Sequence, residues 1–168
     1  IIFSVYCALT LGMAWDEPFH YYEGKNRLKY LFSLGKHELD DWELRSHYRY
    51  YTGFYDTLSA FISQIVPIKY EVHIHHLINL FFSLLTIFGI SKIAGRLFNK
   101  KVGKIVFLLS FLNPIFFGHM SFNPKDPIIA FSHVWATYFI IRYLQTQQIN
   151  AKRKYFSTLV GLAIGFGL

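Results

Sequence analysis

The stretch from Val72 to Phe98, VHIHHLINLFFSLLTIFGISKIAGRLF, decides how the rest of the chain is read. It stays apolar until Lys92 and Arg96. It is also long enough to cross a bilayer, for which ~20 apolar residues are needed. Around it the acidic residues are distributed unevenly. Nine lie within residues 16–71 and the tenth is Asp126, so Val72 to Lys125 has none and neither does the chain after Asp126.

The basic residues follow a complementary pattern. Residues 15–71 carry seven Lys/Arg against nine Asp/Glu, whereas residues 92–104 and 142–154 together carry nine Lys/Arg and no acid. Basic clusters beside apolar runs mark the cytoplasmic loops of a membrane protein. A net charge of +7 could otherwise suggest nucleic acid, but no interleaving of basic and aromatic residues with groove-binding spacing is present, and that class is excluded. A soluble domain of 168 residues would rarely combine 18 Phe and 12 Tyr with only 16% charged residues. The single cysteine, Cys7, rules out an intrachain disulfide and a cysteine metal site, and its apolar run makes it a small buried hydrophobe.

These patterns predict an all-α fold, a polytopic transmembrane helix bundle. Its spans are expected at about 1–14, 72–98, 105–118, 127–144 and 156–168. Residues 15–71 form a first outer loop with interfacial amphipathic helices. Within that loop, Phe19 to Leu34 reads as a helix stopped at Gly35. Phe54, Leu58, Phe61, Ile62 and Ile65 recur on one helical face, closed by Pro67. Such a helix suits a bilayer interface, and packing onto a soluble loop is the other reading. Asn113-Pro114 bends or ends the third span, and Pro127 opens the fourth. The chain begins without methionine inside an apolar run and ends inside another. A single membrane domain covering 1–168 and cut at both ends is therefore expected, with a cleaved signal peptide as the competing reading of the start.

The topology puts two polar spots on the same, non-cytoplasmic side. One is Asp16-Glu17, where the first span ends. Adjacent carboxylates at an interface are solvated, paired or functional, and helix capping is the structural alternative, since Asp before Glu-Pro suits an N-cap. The other is the loop His119–Asp126, with His119, Asn123, Lys125 and Asp126, for which a simple Asn-Pro and Asp-Pro turn is the plain alternative. His20 lies four residues from Asp16 and could share its helix face. His73, His75 and His76 lack metal-ligand spacing and read as interfacial. Lys92, Arg96 and Arg142 read as snorkelling span ends, and Tyr48, Tyr50 and Tyr51 as an aromatic belt.

Together, Trp15-Asp16-Glu17-Pro18-Phe19-His20 after the first span, and Gly118-His119 with Asn123-Pro124-Lys125-Asp126 after the third, resemble the start of a GT-C membrane glycosyltransferase. The similar branch is that of the protein O-mannosyltransferases and lipid A aminoarabinose transferases. The resemblance implies transfer of a sugar from a polyprenyl-phosphate carrier to an acceptor hydroxyl on a lipid or protein, with inversion. It implies Asp16 as base, and Glu17 orienting the acceptor or binding metal. Lys125, with His119 or His20, would stabilise the departing phosphate, supported by Asn123 and Asp126. A divalent cation held by Asp16, Glu17 and Asp126 is a further implication. A bacterial inner membrane with a periplasmic site is favoured over the endoplasmic reticulum. Two readings from other classes compete: a transporter or channel fragment, and a non-catalytic membrane scaffold.

Overall fold

The computed structural model describes residues 1–37, 53–146 and 148–167. Among these the secondary structure is helical throughout. The helices are α1 (Ile2–Thr10), α2 (Glu17–Phe32), α3 (Phe54–Ser63), α4 (Glu71–Leu97), α5 (Lys100–Leu112), α6 (Pro114–His119), α7 (Asp126–Gln145) and α8 (Asn150–Gly167). A 3₁₀ turn, Ile68–Tyr70, leads into α4. The three tyrosines of the expected aromatic belt, Tyr48, Tyr50 and Tyr51, lie outside the described residues.

The central element is α4, which packs against α1, α3, α5 and α7. Its sequence supplies a different face to each neighbour. Leu80 and Ile87 are buried with Ala8 of α1 and with Met120, and Phe107 and Phe111 of α5 pack onto this cluster. Phe82 is buried with Tyr55 of α3 and Ile128 of α7. A third face is polar: His75, Asn79, Ser83 and Thr86 recur at helical spacing and all four are buried.

Contacts fix the helix directions. Ser91 Oγ donates to Gly103 O at 2.9 Å, and Gly103 lies against Gly95, so α5 returns antiparallel to α4. Phe82 meets Phe131, and Trp135 Nε1 donates to Leu85 O at 3.2 Å, so α7 runs parallel to α4. Arg142 stacks over Phe156 while Phe131 meets Phe166, so α8 is antiparallel to α7. One end of the bundle therefore gathers the C-terminus of α1, α2, the N-terminus of α4, the 119–126 loop and the N-terminus of α7. The basic loops occupy the opposite end, where Lys92 covers Phe88 and Arg96 donates to Gln145.

Several local expectations hold. The α2 helix ends in a Schellman arrangement: Gly35 N donates to Tyr30 O at 2.9 Å and Leu34 N to Leu31 O at 3.1 Å. The left-handed position expected at Gly35 begins one residue earlier, since both Leu34 (φ 54°) and Gly35 (φ 80°) have positive φ. Asn113 and Pro114 break the third span. Asn113 takes an extended backbone and its side chain accepts from Phe116 N at 2.9 Å, capping α6. Pro127 sits in the first turn of α7.

The span lengths differ from expectation. Ile68–Leu97 is the one helix among the described residues long and apolar enough to cross a membrane. The 13 residues of α5 reach only about 20 Å at ~1.5 Å per residue, because Pro114 ends the helix early. The 20 residues of α7 have the length, but Asp126, His133 and Arg142 interrupt their apolar character.

The α3 helix forms where expected, and its apolar stripe is divided: Leu58 packs on the Tyr55, Phe82 and Ile128 cluster and Phe54 meets Phe166, while the polar face turns inward. Tyr55, Asp56, Ser59 and Ala60 are buried, while Phe54, Phe61 and, just beyond the helix, Ile65 stay exposed. The buried face lies so close to α2 that a Cβ on Gly24 would collide with the Asp56 carbonyl. Gly24→Ala should therefore force the two helices apart at a cost of ~1–3 kcal/mol, read as a fall in thermal stability. Gly12→Ala, which meets nothing nearby, serves as the control with unchanged packing.

Candidate active site

The two adjacent carboxylates at the start of α2 behave differently. Asp16 occupies the N-cap position, but its side chain makes no capping hydrogen bond. Its carbonyl accepts from Phe19 N at 3.1 Å, while its side chain is partly exposed and makes no hydrogen bond or ion pair among the described residues. The capping reading of Asp16 is thus not what the geometry shows. Glu17 is 1% exposed and fully engaged. Its Oε2 accepts from Ala14 N at 2.7 Å, and its Oε1 lies 2.8 Å from His76 Nε2. His76 Nδ1 lies 2.9 Å from the Ala8 carbonyl oxygen.

A second buried network joins α2 to α3. His20 Nδ1 lies 2.9 Å from Asp56 Oδ1, and both residues are buried. Arg27 approaches Asp56 Oδ2 at 3.5 Å and Glu23 at 3.7 Å. His20 does not stand beside Asp16 as a free ligand for an anion. Its Nδ1 is committed to Asp56, which leaves only Nε2 for any other partner.

Between these networks lies a layer of aromatic and polar side chains. The Tyr21 and His75 rings are 4.0 Å apart, and the Tyr55 hydroxyl lies 3.4 Å from His75 Nδ1. Burial, reinforced by Glu17, raises the Tyr21 pKa. Burial likewise raises that of Tyr55. Both phenols are therefore neutral O–H groups at physiological pH.

The second candidate spot lines a cleft of about 490 Å³ under the 119–126 loop. Ser83 of α4, Asn113, Phe116, His119, Met120, Asn123 and Asp126 form its walls. Ser83 Oγ donates to Met120 O at 3.0 Å, which draws the loop onto the polar face of α4. Asn123 Nδ2 donates to Asp126 Oδ2 at 2.9 Å. His119 is exposed at the cleft mouth. Lys125 has φ 60° and ψ −43°, and Asp126 N donates to Pro124 O across it at 2.7 Å. This γ-turn is rare for a non-glycine residue and stores on the order of 1–3 kcal/mol.

Asp16-Glu17 and the 119–126 loop thus share one end of the bundle. The link between them is apolar, through Ala8, Leu80 and Met120. Among the described residues no three His, Cys, Asp or Glu side chains gather as a metal site. Of the trio that the resemblance implies for a cation, Glu17 carries one hydrogen bond on each oxygen, whereas Asp126 accepts from Asn123.

Three contributors escape a reading of the sequence. Asp56 and Arg27 had one available signal: Asp56 is the single charge in the apolar run that forms α3, and it lies opposite the apolar stripe. His76 had none, since its partner is 59 residues away.

Comparison with known proteins adds one finding. The family model described as dolichyl-phosphate-mannose-protein mannosyltransferase matches residues 60–168. The match includes α4 with His75 and His76 and the whole 119–126 loop, and it begins after Asp16-Glu17. No curated protein and no solved structure matches the chain.

Asp56 answers a buried histidine and a partly buried arginine at once. Asp56→Ala should leave His20 Nδ1 without its carboxylate and take one of two carboxylates from Arg27, at a cost of ~1–3 kcal/mol, measured as a loss of thermal stability in membranes or detergent.

Proposed function

The chain belongs to the dolichyl-phosphate-mannose-protein mannosyltransferase family, and on that premise we propose that it moves mannose from a polyprenyl-phosphate carrier to an acceptor hydroxyl, with Asp16 as the base. The observation that supports Asp16 over its neighbour is the division of labour at the start of α2. Glu17 is buried with both oxygens engaged. Asp16 is partly exposed and its carboxylate is not used for capping.

In this reading Asp16 takes the proton of the acceptor hydroxyl as its oxygen attacks the anomeric carbon. The bond from that carbon to the phosphate oxygen breaks, and the polyprenyl phosphate departs with the electron pair. One displacement inverts the anomeric centre. The leaving group is already an anion, so it needs cationic stabilisation more than a proton. Lys125 and His119 are assigned that role, with Asn123 and Asp126 shaping the loop that presents them. The cleft under the loop would take the phosphate and the adjoining part of the prenyl chain.

The reading places α4 across the bilayer, with α7 parallel to it and α5 and α8 running the other way. The basic end would face the cytoplasm and the Asp16 end the outer side, periplasmic in a bacterial inner membrane. The exposed apolar residues of α3 would then rest at the outer interface. Protein hydroxyls are the acceptor class favoured by the family description.

Asp16→Asn should lower transfer by ~10²–10⁴-fold while expression and membrane insertion stay normal. The check is mannose transfer from a polyprenyl-phosphate donor to a hydroxyl-bearing peptide. Near-parental transfer would remove Asp16 from the base role. In the same assay, Lys125→Ala should raise the donor KM. An unchanged KM and turnover would make Lys125 a turn residue only.

A further inference from the structure

We propose that His76 is a positioning residue for the transfer reaction, holding Glu17 so that the turn before α2 aims the Asp16 carboxylate. This rests on the reading of Asp16 as base.

The geometry carries it. His76 is fully buried and faces an acceptor on each ring nitrogen: the Glu17 carboxylate at 2.8 Å and the Ala8 carbonyl at 2.9 Å. A neutral imidazole has only one N–H. Two acceptors are satisfied only if Nδ1 carries a proton towards Ala8 and a second proton lies in the contact between Nε2 and Glu17. The pair is therefore closed, with no donor or acceptor of the ring left over. It ties together three separate segments: the end of α1 through Ala8, the turn through Glu17, and α4 through His76 itself.

The turn is locked from its own side as well. Ala14 N donates to Glu17 Oε2 at 2.7 Å, while Glu17 N donates to Ala14 O at 3.2 Å. Asp16 sits inside this double closure. Its side chain forms no cap that would orient it, so the direction of its carboxylate is inherited from the backbone of residues 14–17. That backbone is fixed in space by the bond from Glu17 to His76. A buried ion pair is often no more stabilising than a well-packed apolar pair. What this one supplies is a defined position, and positional errors near 1 Å cost ~10²-fold in rate.

The test uses the two side-chain amides that mimic one ring nitrogen each. His76→Gln places an N–H near the Nε2 position and keeps the bond to Glu17. His76→Asn places one near Nδ1, keeping Ala8 and losing Glu17. In the full chain in native membranes, with a polyprenyl-phosphate mannose donor and a hydroxyl-bearing peptide, His76→Asn should lower kcat roughly 10–100-fold. Donor and acceptor KM should stay within about twofold of the parental values, since neither substrate touches His76 in this assignment. His76→Gln should recover most of the turnover. Equal kcat in the two variants, whether parental or reduced, overturns the proposal, because a purely structural histidine does not distinguish the amides. Should His76→Asn fail to accumulate, Glu17→Gln reads the same link: a parental kcat there overturns the role, and a kcat fall at constant KM supports it. Asp16→Asn run in parallel separates the two ideas. An active Asp16→Asn removes the base itself, whereas an inactive one beside a parental His76→Asn overturns only the positioning.

Discussion

The fold depends on how α4 accommodates a polar face inside an apolar helix. His75, His76, Asn79, Ser83 and Thr86 are all buried, and burying such groups without partners costs free energy. Much of the structure answers that requirement for His76, Ser83 and Thr86, whereas His75 Nε2 and the Asn79 amide are buried without a hydrogen-bond partner among the described residues. The α2 helix, polar and tyrosine-rich, and the buried face of α3 pack where His75 and His76 emerge. The 119–126 loop bends inward to meet Ser83 through the Met120 carbonyl. Thr86 is satisfied within its own helix, by the Phe82 carbonyl at 2.8 Å. Without that polar face, α4 would give α2 and the loop no reason to stand where they do.

The same requirement explains why the Asp16-Glu17 pair splits into two roles. Glu17 is drawn into the interior because a histidine and a backbone N–H await it there. Asp16, one residue earlier on a helical backbone, points elsewhere by geometry alone. Neighbouring carboxylates that both stayed in the interior would repel each other; one paired inside and one left towards water avoids that cost. An unengaged carboxylate held on a rigid frame is what a base needs, because its orientation is then independent of the substrate.

What was legible in the sequence follows from the range of each interaction. Pro127, Pro114, Asn113 and the Gly35 stop act within a turn of their own position, and each marks a boundary in the structure. The helical period of residues 54–65 likewise identified α3. The partners inside the site were not legible. His20 and Asp56 are 36 residues apart, and Glu17 and His76 are 59 apart. Neither pair has a spacing that a local pattern can express. His20 was assigned by its distance of four residues from Asp16, a local rule, and tertiary contact with Asp56 overrode it. The third span shows both ranges at once: hydropathy continues through Leu112 and Phe117, whereas the helix stops where Pro114 removes a backbone donor.

The orientation of α3 shows why the surrounding medium must enter the reading of an amphipathic helix. In water, the stripe of Phe54, Leu58, Phe61 and Ile65 would turn inward and Asp56 outward. Here Asp56 is 3% exposed and Ile65 is 76% exposed. The inversion is unfavourable in water, where the exposed apolar groups would remain solvated. Against an apolar medium the same arrangement gains on both sides: the aromatic and aliphatic groups leave water, and Asp56 meets His20 and Arg27 instead of hydrocarbon. The Gly24 contact adds a steric condition, since only a residue without Cβ lets the Asp56 backbone approach α2 closely enough for those pairs. Charge pairing inside, apolar groups outside and a glycine at the crossing are thus one solution to one problem. A polar helix pair beside a membrane-length helix must hide its charges from lipid while keeping one carboxylate, Asp16, at the edge.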